Sequence, residues 1–152
     1  MNTIVRDDGF HKDDWAALGG TFVDLEKYGQ DVAEKTPEQT CLDIPNNLNV
    51  DTITGLFDQV AMIRIPFPSF ADGRGFSLAK RLRQLGYDGR LRALGHVIAD
   101  QYGYARTCGF DEIEIDDAMS VRQPEEQWIA RLPNPSTSYQ KRLLAERELR
   151  NH

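Results

Sequence analysis

Between residues 61 and 115 short apolar runs alternate with amphipathic stretches, and this order restricts the fold more than any other feature of the chain. Ala61–Ile65 is a short run rich in β-branched residues, and Pro66 is expected to end its pairing. After a loop over 67–75, the spacing predicts a helix from about Phe76 to Leu85, with Leu78, Leu82 and Leu85 on one face and Lys80, Arg81 and Arg83 elsewhere. Gly86 and Gly89 turn the chain into a second strand, Leu91–Leu94. A second helix is read over about His96 to Thr107, buried through Val97 or Ile98, Tyr102 and Ala105, and a third strand over Asp111–Ile115. Strands alternating with helices imply βαβ units with right-handed crossovers. The expected fold is a single α/β domain with a small, mainly parallel sheet. It is either an open three-layer sheet or a half-barrel, and the order of elements does not separate the two.

The flanks say less. Thr21–Leu25 alternates as a short strand would, and Trp15 and Leu18 are spaced to seat a helical turn on a core. Residues 43–50 read as a loop, after which Asp51 is placed to cap a helix carrying Ile53, Leu56, Phe57 and Val60. Downstream, Asp116 or Asp117 opens a turn, and Pro124 suits the first turn of a short helix through Trp128 and Ile129. Ser136 or Ser138 can start a final helix to about Arg150, giving a charged helical tail over about 136–152.

Several function classes drop out on composition and motif. A chain of 152 residues with 40% hydrophobic content needs no disulfide or metal staple to hold a core. No apolar run approaches the roughly 18 residues of a membrane span, and Met1–His11 lacks the apolar core of a secretory signal. Cys41 and Cys108, distant and outside any CxxC, are expected to be reduced thiols of a cytoplasmic protein. His11, His96 and His152 have no metal-ligand spacing, and neither GxGxxG nor GxxxxGK[ST] nor G-x-S-x-G occurs. No cofactor is therefore evident. A net charge of −6 argues against nucleic-acid partners. Yet residues 72–106 hold seven cations against three acids, a local +4, leaving 11 cations against 21 acids elsewhere. That stretch either receives an anion or acidic partner, or is a basic helix face paired with acidic neighbours.

In parallel α/β folds ligands gather beyond the carboxyl ends of the strands. Here that rim is Asp72, Gly73, Arg74 and Gly75 after the first predicted strand, Gly95 and His96 after the second, and Asp116 and Asp117 after the third. Glycines flanking Arg74 let backbone approach a ligand, the following amides open a helix, and the guanidinium can grip an oxyanion in bidentate fashion. Asp72 and His96 are the candidates for proton transfer. The alternative is that the glycines only make the turn, with Asp72 capping the helix and pairing with Arg74. Cys108, Tyr102, Tyr104, Phe110, Trp15 and Trp128 read as packing residues.

Three segments carry a family likeness: Ile65-Pro-Phe-Pro-Ser-Phe-Ala-Asp-Gly-Arg-Gly-Phe-Ser77, Arg92-Ala-Leu-Gly-His-Val-Ile-Ala-Asp-Gln101, and Arg106-Thr-Cys-Gly-Phe-Asp111. Over about residues 60–116 the chain resembles the bacterial domain-of-unknown-function family 934. By position the motif residues are Asp72, Gly73, Arg74, Gly75, Ser77, Arg81, Arg92, Gly95, Asp100, Gln101 and Asp111. His96 departs from the family pattern, which usually has Asp there. The resemblance implies a small cytoplasmic protein tied by gene neighbourhood to sulfite reductase and assimilatory sulfate reduction. It would be an accessory module binding a small anion such as sulfite or sulfate, and partnering sulfite reductase or another sulfur-assimilation enzyme. Alternatives are an oxidoreductase of sulfite reduction, with an oxyanion site at the strand rim, or a structural and homo-oligomerising protein.

Overall fold

Seven strands pair into one sheet in the computed structural model, which describes residues 2–28 and 36–130. β3 (Thr21–Asp24), β4 (Thr40–Asp43), β5 (Met62–Phe67), β6 (Arg90–Gly95) and β7 (Glu112–Ile115) lie side by side in chain order, all parallel. β1 (Thr3–Arg6) runs antiparallel along β7, and β2 (Gly9–Lys12) forms the outer edge beyond it. When parallel strands are laid down in one direction through right-handed crossovers, every connection returns over the same face. α1 (Arg74–Gln84), α2 (Tyr102–Cys108) and a 3₁₀ segment, Val50–Leu56, share one core cluster there. The chain is a single α/β domain on a mostly parallel sheet, as expected, and α1, α2 and the 3₁₀ segment share one face of it.

Strand alternation sorts the residues accordingly. Leu42, Ile63, Ile65, Leu91, Ala93, Ile113 and Ile115 face the helices and are buried. Their neighbours Asp43, Arg64, Arg92, Glu112 and Glu114 face the other way. The sheet curls toward that second face: the Phe22 ring of β3 reaches the Arg64 guanidinium of β5 at 3.9 Å and lies 6.0 Å from that of Arg92 on β6. The turn at 14–20, with Trp15 buried against Cys41 and Met62, covers part of this concavity.

Pro66 does not end β5, as the sequence suggested; it pairs in register with Leu94. Arg64 C=O accepts from Ile44 N–H on the β4 side, whereas Phe67 C=O accepts from His96 N–H on the β6 side. Pro66 therefore presents its missing donor toward β4, which has no paired residue that far along. The helix expected from Asp51 is 3₁₀, and its cap is Asn49, whose side chain accepts from Asp51 N–H at 3.2 Å. Thr52, Thr54 and Gly55 are poor α-formers, which explains the tighter turn. The helix expected from His96 begins as a 3₁₀ turn at Ala99 and becomes α2 at Tyr102, so His96 stands outside it. α1 starts two residues earlier than expected. Asp116 caps α3 (Asp117–Arg122), accepting from Met119 N–H at 2.8 Å, and Pro124 is the N-cap of α4 (Glu125–Ile129) rather than within its first turn. Trp15 is buried as expected but Leu18 is 61% exposed. The charged tail over 136–152 lies outside the described residues. No helix among the described residues is long and apolar enough to cross a membrane.

Candidate functional site

The concave face carries a continuous ion-pair network on adjacent strands. Arg92, with no exposed side-chain surface, donates from Nε to Glu112 at 2.7 Å, from Nη1 to Glu114 at 3.0 Å, and to Asp13 at 3.1 and 3.3 Å. Arg90 and Arg6 also hold Glu112, at 2.8 and 3.2 Å. Arg64 grips Asp43 through Nε and Nη2 at 2.7 and 2.8 Å and reaches Glu114 through Nη1 at 3.0 Å. Burial opposes the Arg64 charge, but the hydrogen bonds and charge of Asp43, with Glu114 behind it, more than offset this and raise its pKa. The Arg92 guanidinium is likewise desolvated and likewise held charged, chiefly by Glu112. Burying so many charges is tolerable only because each is paired and hydrogen-bonded.

Beyond the carboxyl ends of β3 to β6 this face opens into a cavity of about 640 Å³, lined by Asp24, Leu25, Glu26, Asp43, Ile44, Pro45, Leu48, Arg64, Pro66 and Leu94. That volume suits a small-molecule site, which typically spans about 300–1,000 Å³. Its walls are mainly aliphatic. Its polar groups converge from neighbouring strands, since Asp24 is in register with Asp43 and Asp43 with Arg64. Three of the five guanidinium N–H donors of Arg64 are engaged, leaving two without a partner among the described residues.

The residues singled out in the sequence fall into three places. The first is the rim beside the cavity, where Asp72 accepts from Arg74 Nε and Nη2 at 3.0 and 2.8 Å, from Arg74 N–H at 3.2 Å, and from Asn46 at 2.9 Å. These hydrogen bonds, the Arg74 side chain's first, hold the Asp72 carboxyl well below the usual carboxylate range. An oxyanion reaching Arg74 here would compete with Asp72 for the fork. Gly75 sits where a Cβ would lie 2.5 Å from the Phe67 ring, so it serves the packing of α1 on β5. Gly73, at φ −89° and with nothing nearer than 3.8 Å to a Cβ, serves no such need. Gly95 has φ +108°, and His96 next to it turns its backbone N–H and Nδ1 onto Phe67 C=O while its ring meets Phe70 edge-on at 5.1 Å. Gln101 ties this loop down through Phe70 C=O at 3.3 Å.

The second place is the exposed surface, with Ser77, Arg81 and Asp100; Arg81 pairs with Asp51 at 2.8 Å. The third is interior. Arg92 belongs to the concave network, and Asp111 lies at the opposite end of the sheet from the rim, accepting from Leu91 N–H at 2.9 Å and Arg83 at 3.0 Å. The basic stretch is thus matched by acids from outside it: Asp51, Glu112, Glu114, Asp13 and, for Arg106, Asp7 at 3.0 Å. Lys80 meets the Tyr104 hydroxyl at 3.2 Å. Cys41 and Cys108 are free and buried, and burial pushes both thiols up, away from the reactive thiolate. No group of three or more potential metal-ligating side chains occurs among the described residues.

Sequence reasoning missed Asp24, Glu26, Asp43 and Arg64 as site residues. The signal was there in Met62-Ile-Arg-Ile65, Arg90-Leu-Arg92 and Glu112-Ile-Glu-Ile115, where charged and apolar residues alternate within strands. A family model described as a bacterial protein of unknown function (DUF934) matches residues 41–149. No curated protein and no solved structure matches the chain.

Proposed function

The chain belongs to the DUF934 family, and from that premise we propose that it is a cytoplasmic ligand-binding module, an accessory to assimilatory sulfate and sulfite reduction. The observation that carries the binding role is the cavity at the carboxyl rim. There Arg64 keeps two unengaged donors, and Asp24 and Glu26 make no hydrogen bond or ion pair among the described residues, while the arginines of the basic stretch are engaged inside the molecule. Arg64, rather than Arg74, supplies the contact for the ligand's anionic group. The motif likeness over residues 60–116 supports the pathway. Deletion of the gene is expected to abolish growth on sulfate, with rescue by cysteine; undiminished growth on sulfate removes the pathway from the reading.

A further inference from the structure

The geometry points to a zwitterion as the cavity's ligand: a molecule with an ammonium and a carboxylate on one head and an apolar body, as in a hydrophobic α-amino acid. This rests on the binding-module reading above and names its ligand class. A simple anion is poorly suited to the site, because Arg64 is the one guanidinium among the described lining residues and shares that lining with the carboxylates of Asp24, Glu26 and Asp43. A simple cation would lie against Arg64, whose charge the Asp43 and Glu114 contacts hold in place. A head with both signs satisfies both. Asp24, Asp43 and Arg64 are consecutive partners across β3, β4 and β5, so their backbones are spaced about 4.8 Å per strand, a step that an amino-acid head can bridge. The ligand carboxylate takes the two spare N–H groups of Arg64. The ammonium lies between Asp24, which has no partner among the described residues, and Asp43, whose oxygens each accept one bond from Arg64 and retain capacity for another. The body then rests on Leu48, Pro66 and Leu94.

The test is a titration of the full chain, followed by amide chemical shifts, with three isosteric probes: L-phenylalanine, phenethylamine and 3-phenylpropanoate. L-Phenylalanine is expected to bind about ten- to a hundredfold more tightly than either single-charge analogue, the usual effect of losing one charge-assisted hydrogen-bonded contact. Asp24→Asn, at an exposed position whose side chain has no hydrogen bond or ion pair among the described residues, should weaken L-phenylalanine and phenethylamine about tenfold while leaving 3-phenylpropanoate unchanged. Equal affinity for L-phenylalanine and one analogue, or an Asp24→Asn protein that binds all three as before, overturns the zwitterion and leaves the binding role standing. Failure of all three probes to perturb amides of the β3–β6 carboxyl ends overturns both.

Discussion

Replacing Arg92 with Met keeps an unbranched apolar stem and removes the guanidinium from the middle of the concave network. Four hydrogen bonds go with it, to Glu112, Glu114 and Asp13. The two glutamates are left only 3% and 6% exposed, so water cannot fully replace the lost donor. Breaking a buried pair from one side costs about 3–5 kcal/mol. The lower end applies here, because Glu112 keeps Arg90 and Arg6, and Glu114 keeps Arg64 and Asn2. The network's charge nevertheless worsens. Arg6, Arg64, Arg90 and Arg92 face Asp13, Asp14, Asp43, Glu112 and Glu114, so the balance moves from −1 to −2. A loss of about 3 kcal/mol corresponds to a melting temperature lower by about 6–12 °C in a domain of this size. Urea unfolding read by tryptophan fluorescence and far-UV circular dichroism measures it, and a double-mutant cycle with Glu112→Gln should return a coupling of at least about 1 kcal/mol. A loss below about 1 kcal/mol would mean that the neighbouring arginines carry the carboxylates alone, and the account of Arg92 as the network's hub would fail.

Two glycines of one motif should behave oppositely: Gly75→Ala drives a methyl against the Phe67 ring and should cost about 1–3 kcal/mol, while Gly73→Ala, with open space around it, should be neutral or slightly stabilising in the same unfolding assay. Arg74→Lys should leave stability nearly unchanged, since Arg74 is 59% exposed and its pair with Asp72 faces water; a melting shift of many degrees would contradict that. Asp72, Asp51 and Asp14 all have pKa values lowered by arginine partners, so each adds stability that is present above the unfolded value of about 3.9 and is lost as pH falls through the folded value. A denaturation midpoint that is flat from pH 6 to 4 and falls below pH 4 is the expected profile, and one that rises in that range would reverse the sign of these couplings.

The two central βαβ units were legible because each strand and helix there has its own local signature: β-branched runs, a leucine stripe, glycine stops. β1, β2 and β4 were not. Thr3-Ile-Val-Arg6 and Thr40-Cys-Leu-Asp43 are four residues long, and what holds them is pairing with strands far away in sequence, Ile113 for Val5 and Ile63 for Leu42. The Asp7-Asp8 turn before Gly9, with φ +121°, was the only local hint of the hairpin. The rule for parallel sheets points to the rim beside which the cavity lies. Its chemistry was assigned to Arg74, though, because glycine-flanked arginine is conspicuous in a sequence, whereas Arg64 reads as an interruption of an apolar run. Only the one-sided covering of the sheet shows that such an interruption points into a cavity.

Pro66 gives that cavity a property of a different kind. Ile44 N–H donates to Arg64 C=O, and the next rung between β4 and β5 would run from the amide of residue 66 to Ile44 C=O. Pro66 has no amide hydrogen, and it lines the opening. That rung cannot form, whatever the solvent or temperature, so the Ile44 carbonyl at the edge of the cavity lacks this strand partner by covalent structure rather than by a conformational equilibrium.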